Sequence, residues 1–193
     1  MKELINFTFD FFGHVLPGIV IIISFSLFFI DTNSLDFIKE QINTINTANS
    51  TLIAISAYIV GFALDPIGKL LYKKIGFKIW NLKVQNGVDM FISNKFALVR
   101  EFSEKNFKYV EKWNMYCTMS YNFALASIFV FLSSIFKVFQ EKENYLFWLL
   151  IIVLSLFLFF IFLYKAVLFS IWAAHDLNAT ITALKLEEKV SKE

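Results

Sequence analysis

Residues 145–164 read YLFWLLIIVLSLFLFFIFLY, twenty consecutive positions without a charge and with a single serine, Ser155. At about 1.5 Å per residue a helix of that length crosses the roughly 30 Å of hydrocarbon in a bilayer, and a soluble helix is not apolar on every face for so long. The stretch places the chain in a membrane. Working outward from it, residues 11–30 (FFGHVLPGIVIIISFSLFFI) form a second run of spanning length. That run ends in Phe28, Phe29 and Ile30 before Asp31, unlike the small-residue cleavage site of a signal peptide, and reads as a retained helix. Residues 51–72 (TLIAISAYIVGFALDPIGKLLY) and 118–136 (TMSYNFALASIFVFLSSIF) complete a set of four. The expected fold is all-α, one membrane domain with four spanning helices.

Composition agrees with this reading. Hydrophobic residues make up 58% of the 193, above the roughly 45–50% of soluble proteins, and 25 are phenylalanine. The net charge is only +2, but the charges are segregated. Lys69, Lys73, Lys74, Lys78, Lys83, Lys95, Arg100, Lys105, Lys108 and Lys112 supply ten of the 18 basic residues; opposed by Asp89, Glu101, Glu104 and Glu111, they leave +6. Four spans put both ends on one side. Cytoplasmic loops carry the excess of Lys and Arg, so this basic segment faces the cytoplasm with Lys2, Lys185, Lys189 and Lys192, and the poorer loops holding Lys39, Lys137 and Lys142 face outward. The expected orientation is N-in, C-in, in a bacterial inner membrane.

Within residues 73–116, Phe96, Val99 and Phe102 and then Phe107, Val110 and Trp113 recur near helical spacing. They predict a cytoplasmic amphipathic helical hairpin between spans 2 and 3, turning near Gly87. Beyond Lys165 the last helix is expected to continue on the cytoplasmic side through residues 165–190.

Asp65 is the sharpest polar signal, because a carboxylate within a span costs a few kcal/mol and is kept for a partner, a pathway or a proton. One reading pairs it with Lys69 four residues on. Another brings it to His14, which lies at comparable depth. Asn122, Tyr121 and Tyr58 offer hydrogen bonds between helices, and Pro17, Gly18, Gly61, Pro66 and Gly68 allow bending or close packing. The basic segment has three readings: topology and attraction to anionic lipid, a docking surface for a soluble partner, and nucleic-acid binding, the last disfavoured because its aromatics fall at core spacing.

One cysteine, Cys117, excludes an internal disulfide, and His14 and His175 have no histidine partner one turn away, so neither a metal site nor a cofactor is expected. No GxSxG, HExxH or phosphate-cradling loop is present, and no enzymatic activity is expected.

The Leu16-Pro17-Gly18 triplet in the first span, YIVGFALD over residues 58–65, the basic segment after it and the long aromatic last span resemble the small multi-pass membrane proteins of bacterial antiviral defence, most closely the membrane accessory proteins of type VI-B CRISPR systems. The resemblance implies a companion of an RNA-guided ribonuclease, without catalysis of its own and without a residue-level site to carry over. The other membrane accessory class of those systems is associated with an Arg-to-His ribonuclease-like motif, and Arg100 has no histidine a few residues downstream. The function expected on these grounds is an accessory or effector that self-associates to perturb or permeate the membrane. A scaffold docking a soluble ribonucleoprotein through the basic segment, or a small proton-coupled transporter or channel subunit using His14 and Asp65, are the alternatives.

Overall fold

The computed structural model describes residues 9, 11–30, 39, 43, 47–83 and 91–186. Every described element is helical, and four helices are long and apolar enough to cross a membrane. α1 (Leu16–Ser26) is entered through a π-helical turn, Phe11–Val15, and closed by a 3-10 turn, Leu27–Phe29. α2 (Thr47–Leu71) starts four residues earlier than its apolar run and continues through a π-helical turn, Tyr72–Gly76, into Phe77–Ile79. α3 (Ile92–Phe102), α4 (Glu104–Gln140) and α5 (Tyr145–Ala183) follow, with the 3-10 turn Lys142–Asn144 joining the last two.

α4 and α5 hold 37 and 39 residues, about 55 and 58 Å of helix, so an antiparallel pair of this length outruns the roughly 30 Å of hydrocarbon. Neither contains a glycine or proline, and nothing in the backbone stops them where the apolar run ends. The surplus projects at one end as a head. There α3 doubles back on the start of α4 at Ser103, whose extended backbone (φ −154°, ψ 74°) separates the two helices.

The break between the two amphipathic segments thus lies at Ser103, and the second, Phe107 to Trp113, lies within the first third of α4 and is not the arm of a separate hairpin between the second and third apolar helices. Gly87 and Asp89 lie outside the described residues, as do residues 187–193. α5 is unbroken to Ala183.

Two cores follow from this plan. Val99, Val110, Ala173, Leu177, Ile181 and Leu186 are buried together in the head, with Phe96, Phe107 and Trp113 against them. In water each such Val, Leu or Ile side chain contributes about 1.5–3 kcal/mol by burial. Below, Tyr72, Cys117, Tyr121, Ala124, Leu163 and Val167 knit α2, α4 and α5. Between spans the surrounding lipid is as apolar as the side chains, so close packing and hydrogen bonds decide there.

Close approach is built into the sequence of α2. Ala57, Gly61, Asp65, Gly68, Tyr72 and Gly76 follow at intervals of three or four residues, which sets them along one face, and the outward face displays Leu52, Ile55, Ile59, Phe62 and Leu70. α1 crosses on that inner face: a Cβ on Gly18 would lie 1.9 Å from the Ala57 carbonyl oxygen, and one on Gly61 would lie 2.1 Å from that of His14. Ala57 meets Gly18 and Gly61 meets the His14 backbone, so at each contact a glycine lets the two helices approach.

Candidate functional site

Where α1, α2 and α4 meet, the polar side chains of three spans converge. Asp65 Oδ1 accepts a hydrogen bond from the Tyr121 hydroxyl at 2.8 Å and from Asn122 Nδ2 at 3.3 Å. Asn122, 2% exposed, also donates to the Gly13 carbonyl at 2.8 Å and lies 3.5 Å from His14 Nδ1. The Gly13 contact has a local cause. Pro17 has no N–H to donate to the carbonyl four residues before it, and Asn122 supplies a donor to that oxygen instead.

Tyr121 carries one hydroxyl proton. With that proton on the carboxylate, the stronger acceptor, Thr118 Oγ1 at 3.2 Å donates to the phenol oxygen. Tyr121 stacks on Tyr72 with centroids 5.3 Å apart and planes 4° from parallel. The His14 ring is enclosed edge-on by Phe9, Tyr58 and Phe62. Asn122 Oδ1 is buried without a hydrogen-bond partner and faces Gly68, where a Cβ would stand 3.0 Å away.

The expected residues therefore sort unequally. His14, Asp65 and Asn122 come together, but His14 and Asp65 are joined through the Asn122 amide. The two amide protons of Asn122 go to the Gly13 carbonyl and to Asp65, and its nitrogen only stands 3.5 Å from His14 Nδ1, so the amide separates His14 from the carboxylate and gives no path for a proton between them.

Among the described residues no ion pair links Asp65 to Lys69; Lys69 is exposed, and the carboxylate turns inward to neutral donors. This corrects the i,i+4 pairing. Gly18, Gly61 and Gly68 all lie at helix contacts. Pro17 occupies the first turn of α1, and Pro66 sits within an unbroken α2, exposed on its outer face.

The cations divide into two groups. Lys69, Lys73, Lys74, Lys78 and Lys83 are exposed along the end of α2. In the head, Lys95 bonds Asn178 at 2.9 Å, Lys108 pairs with Glu104 at 2.9 Å, Lys112 lies 5.6 Å from the Tyr116 ring centre, and Arg100 and Lys105 are exposed. The head is fastened to α5 by Trp113 Nε1, which donates to Asp176 Oδ2 at 2.8 Å.

A second polar knot lies at the opposite end of the spans. Lys137, with a fully buried side chain, donates to the Ile30 carbonyl at 2.5 Å and to Gln140 Oε1 at 2.6 Å, and pairs with Glu141 at 3.4 Å. Trp148 Nε1 donates to the other Glu141 oxygen at 3.1 Å. A lysine closing an apolar run reads as a loop cation. The signal that it is a clasp is the Gln140 and Glu141 three and four residues on, within reach on the same helix face.

Among the described residues no three His, Cys, Asp or Glu side chains gather as a metal site. No family model, curated protein or solved structure matches the chain, so what it does is read from its own residues.

Proposed function

We propose that the chain is a non-enzymatic accessory protein of bacterial antiviral defence, spanning the inner membrane four times with both ends and the head in the cytoplasm, and docking a soluble RNA-guided ribonuclease on that head. One observation carries the reading: the intramembrane polar groups turn inward onto one another, while the cations of the head and of the end of α2 turn outward. The orientation follows from the same asymmetry. Lys137 is neutralised by Glu141 and buried, so the end opposite the head holds less free positive charge than its lysines alone would give.

Self-association into a pore is the weaker reading. The outward face of α5 presents Leu146, Leu150, Val153, Phe157 and Ile161, which offer no polar stripe to a water-filled path. A proton-coupled transporter is weaker still, given the amide between His14 and Asp65.

The test is a plaque assay in cells carrying a type VI-B ribonuclease, with the wild-type chain, the charge-reversed variant Arg100→Glu/Lys105→Glu/Lys108→Glu, or neither. The reading expects the wild type to change phage resistance and the variant, present in the membrane at equal level, to behave as the empty control. A variant as effective as the wild type contradicts docking on the head. A rise in membrane conductance with the wild-type chain alone would favour the pore.

A further inference from the structure

A groove runs along the seam of α4 and α5 on the side closed by α1. Its deeper part is a cavity of about 340 Å³ bordered by Val20, Ala126, Ser127, Val130, Ser155 and Leu158. A second cavity of about 230 Å³ adjoins it, bordered by Tyr116, Met119, Ser120 and Phe169. Phe123 and Phe162 line both and stack across the seam with centroids 5.1 Å apart. The two cavities, which meet at the Phe123–Phe162 pair, together border α4 from Tyr116 to Val130, about 21 Å. That exceeds the depth of one leaflet, roughly half of 30 Å.

Three features define what fits. The serine hydroxyls in the walls are spent locally, because Ser120, Ser127 and Ser155 donate to carbonyls of their own helix, those of Tyr116, Phe123 and Ile152, and the Tyr116 ring stands at the shallow end. An alkyl chain is matched there and a polar ligand is not. The shallow end meets an aromatic cluster, Trp113, Tyr116, Phe169 and Trp172, the amphipathic rings that settle at a membrane–water boundary. Cations stand at that end: Lys112 lies over the Tyr116 ring that lines the groove. Lys165, exposed, follows Phe162 by three residues and precedes Phe169 by four, which sets it on the same side of α5. The nearby Asp176 carboxylate is engaged by Trp113.

We infer that this groove is a binding site for one anionic phospholipid, an acyl chain lying along the α4–α5 seam and the phosphate resting on Lys112 and Lys165. The inference rests on the membrane-spanning reading and is independent of the docking partner.

Full-length protein is reconstituted in vesicles of equal phosphatidylcholine and phosphatidylglycerol, extracted in mild detergent, and its retained phospholipid counted by native mass spectrometry. Wild type is expected to keep one phosphatidylglycerol per chain. Each lysine near the surface is worth about a fivefold change in affinity, so Lys112→Gln/Lys165→Gln is expected to lose phosphatidylglycerol selectivity by more than an order of magnitude. Ser127→Phe, which fills the groove, is expected to lose the lipid altogether, and Lys142→Gln at the far end to retain it. Equal retention of the two lipids by the wild type, or retention unchanged in both groove variants, overturns the site. The lysine variant leaves the packed seam untouched and decides the matter even if Ser127→Phe misfolds. Failure of the wild type to enter vesicles would instead overturn the spanning reading.

Discussion

The crossing of α1 and α2 is held by two backbone-to-backbone contacts that tolerate no added carbon. In Gly18→Ala the new methyl would lie 1.9 Å from the Ala57 carbonyl oxygen, and in Gly61→Ala 2.1 Å from that of His14. Ordinary contact begins at 3.4 Å, so α1 must retreat by about 1.5 Å, enough to forfeit half or more of the dispersion energy along the crossing. The obstacle is backbone, and no rotamer change relieves it. Overpacking of this kind costs about 3 kcal/mol, offset by about 1 kcal/mol from the better helix propensity of alanine, for a net loss near 2 kcal/mol per substitution.

Both contacts belong to one crossing, so once the first substitution has opened it the second costs less. The double variant is expected to lose clearly less than the sum of the singles. Gly13→Ala is the control: its new carbon would meet flexible Phe9 ring atoms at 3.3 Å, and it is expected to be neutral or slightly stabilising. Helical circular dichroism against sodium dodecyl sulfate fraction in mixed micelles measures all four. Gly18→Ala and Gly61→Ala unfolding together with wild type would refute the packing argument.

Asn122→Leu removes the bonds to Gly13 and Asp65 and is expected to cost about 1 kcal/mol in the same assay, the usual scale for hydrogen bonds between spans. Asp65→Asn keeps an acceptor for Tyr121 and Asn122 and is expected to stay within about 1 kcal/mol of wild type; a larger loss would show that the charge itself is needed. Lys137→Met takes the cation from the Glu141 carboxylate, which keeps its bond from Trp148, and is expected to cost about 3 kcal/mol, part of it recovered in Lys137→Met/Glu141→Gln, whereas equal instability of the two would remove the clasp. Trp113→Phe deletes the bond to Asp176 and is expected to speed amide exchange in α3 and the first turns of α4 while leaving α2 unchanged.

The spanning helices were legible because an uninterrupted apolar run of bilayer length has few other uses. The meeting of His14, Asp65 and Asn122 was legible in part. Depth along each helix follows from counting residues, but the rotation that brings Asn122 between the other two follows from the Gly18 and Gly61 contacts, which a sequence shows only as small residues. Lys69 misled because four-residue spacing permits a pair without requiring it, and neutral donors on another helix served the carboxylate better. The burial of Lys137 was hidden for the opposite reason: its main acceptor is the Ile30 carbonyl, 107 residues away. The turn at Ser103 carries neither glycine nor proline, whereas Gly87 supplied a conspicuous breaker in the same segment.

The account depends most on four crossings with the head in the cytoplasm. In a Cys117→Ala background, Lys105→Cys in the head and Lys142→Cys at the opposite end place thiols at exposed positions. A membrane-impermeant maleimide applied to intact spheroplasts is expected to label Lys142→Cys and to reach Lys105→Cys only after the membrane is opened. Labelling of Lys105→Cys in sealed spheroplasts, with Lys142→Cys protected, would contradict the orientation, and labelling of both would contradict the crossings themselves.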